Sequence, residues 1–514
     1  GVAGATAYGL IGLAAPARAQ DAQPVAGGTL RMAMETRPTK DPRTWDWTEY
    51  ANFGRGWLDY MVEYENDGSL RPMLLESWEA NEDATEWTLK VRQGVTWNNG
   101  DAFTAEDVVH NLRRWCDGTA EGNSMASRFD ALRDVAGTNQ MREDAVEIVD
   151  PATLRLRLSQ PDITLVVNMA DYPAAVVHRS YDGGDPAANP IGTGAWLPEV
   201  NEVGVRQTLV RNRDHTWWGT AVYGGPWLDR VEYIDYGTDP AATIAAAESG
   251  EIDATYRTQG EFIDILDSIG WEKSEAVTAS TIAVRFHQAA APYDNRDVRN
   301  AIQMAVDNAV VLELGYSNQG SPAENHFVSP LHPEYAEVPR PPVDGAAARA
   351  ALEAAGYGDY EFELISLDDQ YEAATCDAVA AQCRDAGINV KRTVLPGSTF
   401  WNDWTKYPWS ATEWSMRPLG VQIYNLAYKS GVAWNETAFS NAEFDALLAQ
   451  ANSIADADAR REVMAKLQRI MLDEGVLIQP YWRSLFRHAV PRARGLEMHP
   501  TFEHHHYKWW LAPA

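Results

Sequence analysis

The chain has 514 residues, 45% of them hydrophobic and 23% charged, which exceeds what one core holds and suits two or three globular domains. A formal net charge of -30 argues against a nucleic-acid partner, because phosphate binding needs a basic face. The 20 tryptophans are enough to build cores and still leave some rings for a binding cleft.

Near the start, the short apolar run Leu10-Ile11-Gly12-Leu13-Ala14-Ala15 is followed by Ala17-Arg18-Ala19-Gln20. The small-x-small spacing predicts signal-peptidase cleavage after Ala19, so residues 1–19 read as an export-signal remnant. No cysteine follows the run, so a lipid anchor is not predicted there, and no later run approaches the ~20 apolar residues of a membrane span.

Gly28 to Met34 alternates and predicts a first strand, followed by a loop that carries Trp45, Trp47 and Tyr50. Asn66-Asp67-Gly68 marks a turn, and Trp87 to Val91 is another alternating strand. Thr104-Ala105-Glu106-Asp107 opens a helix: the threonine can accept a first-turn amide and the acids suit the positive end of the dipole. Val108, Leu112 and Trp115 recur on its buried face. Thr153 to Leu158 has period two. Asp239-Pro240 caps an alanine-rich helix that stops at Gly250 and feeds a strand at Ile252-Asp253-Ala254. Further helices are predicted around Val298 and Ile302, over 346–355, from Asn441, and through Val463, Leu467 and Ile470. Strands and helices mixed along the whole chain predict an α/β fold.

The motifs of common chemistries are missing. There is no Gly-x-Gly-x-x-Gly after a strand and no phosphate loop. Gly315-Tyr316-Ser317-Asn318-Gln319 fails as a nucleophile elbow because its last position is not glycine. Carboxylates are so plentiful that a glycosidase-like pair carries no weight. His504-His505-His506 would alternate faces in an extended strand, so the three could not share one metal; a strand or loop near a domain surface is expected. Cys116, Cys376 and Cys383 read as small buried residues, the latter two lying roughly 10 Å apart on one helix and too far for a disulfide. No cofactor and no metal are predicted.

From Trp78 onward a family pattern emerges. The segment Leu70-Arg71-Pro72-Met73-Leu74-Leu75-Glu76-Ser77-Trp78-Glu79 leads into Trp87 to Leu112, with Val91-Arg92-Gln93-Gly94-Val95 and Thr104-Ala105-Glu106-Asp107-Val108. It resembles the family 5 extracellular solute-binding proteins, the peptide, nickel and opine class of ABC importers. The resemblance continues in order through Gly192-Thr193-Gly194-Ala195-Trp196, Arg211-Asn212-Arg213-Asp214 with Trp217-Trp218, Glu248 to Asp253, Pro292-Tyr293-Asp294 with Val298 to Ile302, and Leu352 to Tyr357. It implies a two-lobed periplasmic-binding-protein fold, type II-like (cluster C), with an extra small domain and a hinge that closes on the ligand. The corresponding division is 20–59 with 188–278 and 484–514 as lobe I, 60–187 as the extra domain on the lobe I side, and 279–483 as lobe II. It also implies a soluble, periplasmic, monomeric capture protein without catalysis, delivering a peptide or peptide-like solute to a membrane permease. An opine, an oligosaccharide or a metal chelate remains open as the solute, and a secreted hydrolase is the alternative of another class.

In peptide-binding members an acidic residue shortly after a Gly-Trp strand end meets the peptide ammonium. The matching stretch here is Ala411 to Pro418, where Trp414 keeps the tryptophan but Met416-Arg417-Pro418 replaces the acidic run. Trp414 is therefore expected to stack on the solute, Arg417 to pair with an anionic group, and Glu413 to take a cationic one. Trp47 and Tyr50, in the loop after the first strand, and Trp401 and Trp434, flanking the Trp414 strand, are further candidates, with Trp45 and Trp404 weaker ones. Arg285 and His287, near the lobe crossover, read as an exposed strand face, with a hinge or cleft role as the alternative.

Overall fold

The computed structural model describes residues 22–514, so the expected cleavage site after Ala19 lies outside the described residues. One twelve-stranded sheet runs through the molecule. Its path begins with Asn389–Leu395, Glu361–Leu367 and Trp409–Trp414, crosses Glu272–Phe286 and Tyr481–Ala489, and continues through Ala254–Thr255, Thr29–Ala33, Arg230–Ile234, Arg206–Arg211 and Trp196–Glu202. A separate antiparallel sheet of four strands is ordered Leu75–Ala80, Glu86–Val91, Thr153–Arg157 and Val146–Asp150.

Two long strands hold the halves of the large sheet together. The lower part of Glu272–Phe286 pairs with Tyr481–Ala489 and its upper part with Trp409–Trp414. Between them the register shifts from Val277 to Ser280, opposite Ser484 and Arg483. A bulge of this kind bends a strand and interrupts its ladder, and it sits where the chain passes from one apolar core to the other. One core gathers Met32, Trp57, Leu89, Val108, Tyr233 and Leu485; the other gathers Val284, Ile302, Phe362, Val379 and Trp409.

The local signals act as their chemistry predicts. Thr104 and Asp107 form a reciprocal capping box on the helix Ala105–Cys116, Asp239 accepts from the Ala241 amide ahead of Pro240–Glu248, and Asn441 accepts from the Phe444 amide. Cys116, Cys376 and Cys383 are free and buried. Among the described residues no helix is long and apolar enough to cross a membrane.

The Gly192-Thr193-Gly194 and Trp217-Trp218 stretches converge on Asp59. Its Oδ2 accepts from the Thr193 hydroxyl at 2.8 Å and from the Trp217 and Trp218 indoles at 3.1 and 2.8 Å. Gly192 must be glycine because a Cβ would lie 1.6 Å from the Trp57 carbonyl oxygen. These residues therefore clamp one wall of the fold. Asp59→Ala leaves these three buried donors without their acceptor and should cost at least about 1–3 kcal/mol; a melting midpoint equal to wild type would refute this account.

Two expectations are corrected here. Arg285 is fully buried, because its strand is packed on both faces; it donates to the Tyr407 and Trp404 carbonyls and faces Glu436 at 3.7 Å. His287 is half-buried. His504, His505 and His506 are buried rather than near a surface. His504 and His506 both meet the Tyr233 hydroxyl, at 2.7 and 2.6 Å, while His505 lies between Glu63 and Glu503 at 3.3 and 3.2 Å. Burial pushes all three imidazoles well below the ordinary histidine range.

Candidate functional site

A cavity opens where the segment after Trp409–Trp414 faces the helix Thr48–Gly54 and the strand end after Ala254–Thr255. Counted with its open mouth, its empty volume is about 490 Å3. Trp47, Tyr172, Tyr256, Trp404, Trp414, Trp434 and Phe502 supply the rings, and Asp46, Glu49, Arg257, Glu413 and Arg417 the charges. A second cavity of about 750 Å3 adjoins it and shares Glu49, Tyr256 and Arg257.

Strand alternation divides the work of the Trp414 strand. Thr412 and Trp414 point one way and both donate to Glu436, the hydroxyl to its Oε2 at 2.8 Å and the indole to its Oε1 at 3.1 Å. This fixes the Trp414 ring, which stands edge-on to Trp404 and Trp434 at 6.1 and 6.0 Å. Glu413 points the other way. Its Oε2 accepts from the Arg257 guanidinium at 2.7 Å and the Tyr371 hydroxyl at 2.8 Å, with Arg483 at 3.9 Å. Burial alone would raise the Glu413 carboxyl, but Arg257 and Arg483 outweigh it and hold it at about 2.

Arg417 is 3% exposed. Its Nε and NH2 donate to Asp171 at 3.1 and 3.0 Å, and its NH1 to the Ser415 carbonyl at 3.1 Å. The guanidinium also stacks over Tyr172 and Trp434, 5.6 Å from each ring centre. Asp171 binds a second buried arginine, Arg128, at 2.6 Å. Burial pushes the Asp171 carboxyl up, yet the two guanidiniums hold it below the usual carboxylate range.

Of the residues expected from sequence, Trp47, Glu413, Trp414, Arg417 and Trp434 line this one cavity. Tyr50 and Trp401 do not. Tyr50 lies under the Lys40 ammonium at 4.8 Å, and Trp401 backs the Trp47 ring at 4.3 Å. Sequence reasoning missed Glu49, Tyr172, Tyr256 and Arg257. Tyr172 and Arg257 reach the cavity from segments far from 411–418, with no local motif to mark them. Glu49 carried one signal, an acid in a helix first turn two residues after Trp47.

Away from this cavity, donor atoms of His499, Glu503 and His505, and of Glu63, Glu65 and His505, come within 4.8 Å of one another. By proximity these could hold a metal ion. However, His499 already bonds the Tyr64 carbonyl at 2.7 Å and the Thr501 amide at 3.0 Å. The carboxylates face Arg55, Arg71 and Lys508 at 3.7, 3.0 and 2.7 Å, so the cluster is supplied with its own cations.

A continuous sheet pinched by two crossing strands, with an aromatic cavity where its halves face each other, defines a two-lobed α/β binding fold. The model of the bacterial extracellular solute-binding proteins, family 5, matches residues 69–435, and the chain belongs to that family. It is 23% identical over 488 residues to the periplasmic oligopeptide-binding protein OppA of Haemophilus influenzae, covering 88% of this chain and 86% of that one. The structure of that protein in complex with RPPGFSPFR superposes with a TM-score of 0.84 at 20% identity, covering 96% of this chain and all (100%) of that one. The binding protein AgaA in complex with agropinic acid superposes at a TM-score of 0.80 and 21% identity, covering 95% and 99%.

Proposed function

We propose that the chain is the periplasmic solute-binding component of an ABC importer, closing two lobes over a peptide or peptide-like small solute and presenting it to a membrane permease without chemical change. The observation that carries the reading is the cavity itself. Side chains from both halves of the large sheet and from the Asp171-Tyr172 segment converge on it, and they combine aromatic rings with a few convergent charged groups, the lining expected of a small-molecule site. Relatives whose names include oligopeptide and dipeptide binding support a peptide-like solute. The lobes are assigned as 20–59, 188–278 and 484–514 against 279–483, with 60–187 as an added domain, and the register shift at Val277 to Ser280 as one strand of the hinge. The acidic, monomeric protein works alone with its solute until it meets the permease.

Because a ligand that binds only the folded state stabilises it by mass action, saturation at a hundredfold over Kd adds about 2.7 kcal/mol. A thermal-shift series over di- to pentapeptides, opines, oligosaccharides and nickel chelates should show a rise for peptides, with the peptide recovered intact. No shift with any of these, or recovery of cleaved peptide, would overturn the proposal.

A further inference from the structure

The two charged residues that the sequence marked for ligand recognition are both occupied. Glu413 is saturated by Arg257 and Tyr371, and Arg417 by Asp171 and the Ser415 carbonyl. Asp46 is partly exposed and has Lys40 at 3.5 Å. Glu49 differs from all three. Its side chain is 9% exposed, and its nearest counter-charge is the Arg37 NH2 at 3.9 Å. No hydrogen bond from any described residue reaches its carboxylate, including the amides of its own helix, whose first turn holds no side-chain cap. Arg37 is moreover divided, since it also faces Glu35 at 3.7 Å.

The Glu49 carboxylate is thus held by one shared charge at 3.9 Å and has its hydrogen-bond capacity unused, a carboxylate offering about four acceptor positions. Glu49 lines both adjoining cavities, so the missing donor can arrive with the solute. The surroundings suit a cation. The second cavity holds Glu35, Glu49, Asp239 and Asp369 against the single cation Arg257, and Arg257 is already committed to Glu413. Burial pushes the Glu35 carboxyl up to about 7, against Arg37, with Glu49 adding like charge. The rings of Trp47 and Tyr256 beside Glu49 offer π faces to the same group.

We propose that Glu49 receives the positively charged group of the captured solute, so that the site selects molecules carrying an ammonium or guanidinium on an apolar or aromatic body. This rests on the reading of the cavity as a solute site. It places the selecting charge on the helix Thr48–Gly54, across the cleft from the 411–418 stretch.

The test is native mass spectrometry of the full chain with matched probes. One pool holds di- and tripeptides containing lysine or arginine. Its counterpart is N-acetylated and carries norleucine at the basic positions. Tryptamine is set beside tryptophol. Wild type should favour the charged probes at least about tenfold, the scale of a charge-assisted hydrogen bond. Glu49→Gln should bring charged and uncharged probes to within about twofold, and because it also removes a counter-charge 3.9 Å from Arg37, the comparison is made between probes on the same folded variant and not between melting midpoints. Should glutamine disturb the helix, Glu49→Asp keeps the charge but withdraws it by one methylene and should weaken the preference about threefold or more. Equal binding of charged and uncharged probes by wild type, or a preference that survives both substitutions, overturns the role of Glu49 and leaves solute capture standing. Binding of no probe at all overturns both.

Discussion

A Glu413→Gln chain is expected to melt several degrees below wild type and to hold its halves together less firmly. The Glu413 carboxylate lies between Arg257 at 2.7 Å and Arg483 at 3.9 Å. Neutralising it leaves two buried guanidiniums with Asp369, 3.7 Å from Arg257, as the remaining counter-charge. Breaking a buried pair from one side costs about 3–5 kcal/mol, because the stranded charge stays out of water. Arg257→Ala should cost less, since Arg483 still faces the carboxylate. The order of the two midpoints is thus a check, and a milder loss for Glu413→Gln than for Arg257→Ala would sink the account. Acid gives a second readout. The folded carboxyl titrates at about 2, below its ordinary value of 4.5. A group with a depressed folded pKa stabilises above its unfolded value and loses that contribution as pH falls through the folded one. The wild-type midpoint should therefore drop between pH 4.5 and about 2, and the drop should be shallower in Glu413→Gln. Scanning calorimetry measures both.

The fold was legible because its signals are local. Thr104 with Asp107, Asp239 with Pro240, and Asn441 each close a helix end within a few residues, and that chemistry needs no tertiary partner. The family pattern was legible for a related reason: Gly192, Thr193, Trp217 and Trp218 are fixed by contacts to Trp57 and Asp59, so their identities answer to the packing of the scaffold. Such residues report the scaffold and leave the ligand undetermined. The cavity was only half legible. The 411–418 stretch led to it through the family resemblance, and the loop after the first strand contributed Trp47. What neutralises Glu413 and Arg417 arrives from Arg257 and Asp171, 156 and 246 residues away along the chain, and no spacing rule pairs charges at that range. Arg285 and the three histidines were misplaced for the same reason. An isolated charged or polar residue reads as exposed until its buried partners, here Glu436, Tyr233, Glu63 and Glu503, are seen.

Asp171→Asn should have the second large effect. Among the described residues Asp171 is the one carboxylate ion-paired with both Arg128 and Arg417, whose side chains are 1% and 3% exposed. Both guanidiniums also stack over Trp434, at 5.2 and 5.6 Å, so neither can swing to water without unpacking the cavity wall. Loss of the charge leaves two buried like charges close together, and about 3–5 kcal/mol of stability should go with it. The strain is relieved by separating the two segments, so small-angle scattering should show a larger radius of gyration for Asp171→Asn than for wild type under the same conditions. Arg417→Ala relieves the same crowding from the other side. It leaves Asp171 paired with Arg128 at 2.6 Å and should be tolerated far better. This pair of variants also decides what Arg417 does for the solute. With its three donor nitrogens engaged by Asp171 and Ser415, Arg417→Ala should change affinity for N-acetylated, anionic peptides by less than about threefold, well short of the 1.5–3 kcal/mol of a charged hydrogen bond. A tenfold or greater loss restricted to anionic solutes would instead return Arg417 to the recognition role its position in the sequence first suggested, with Asp171 as the group it leaves when the solute arrives.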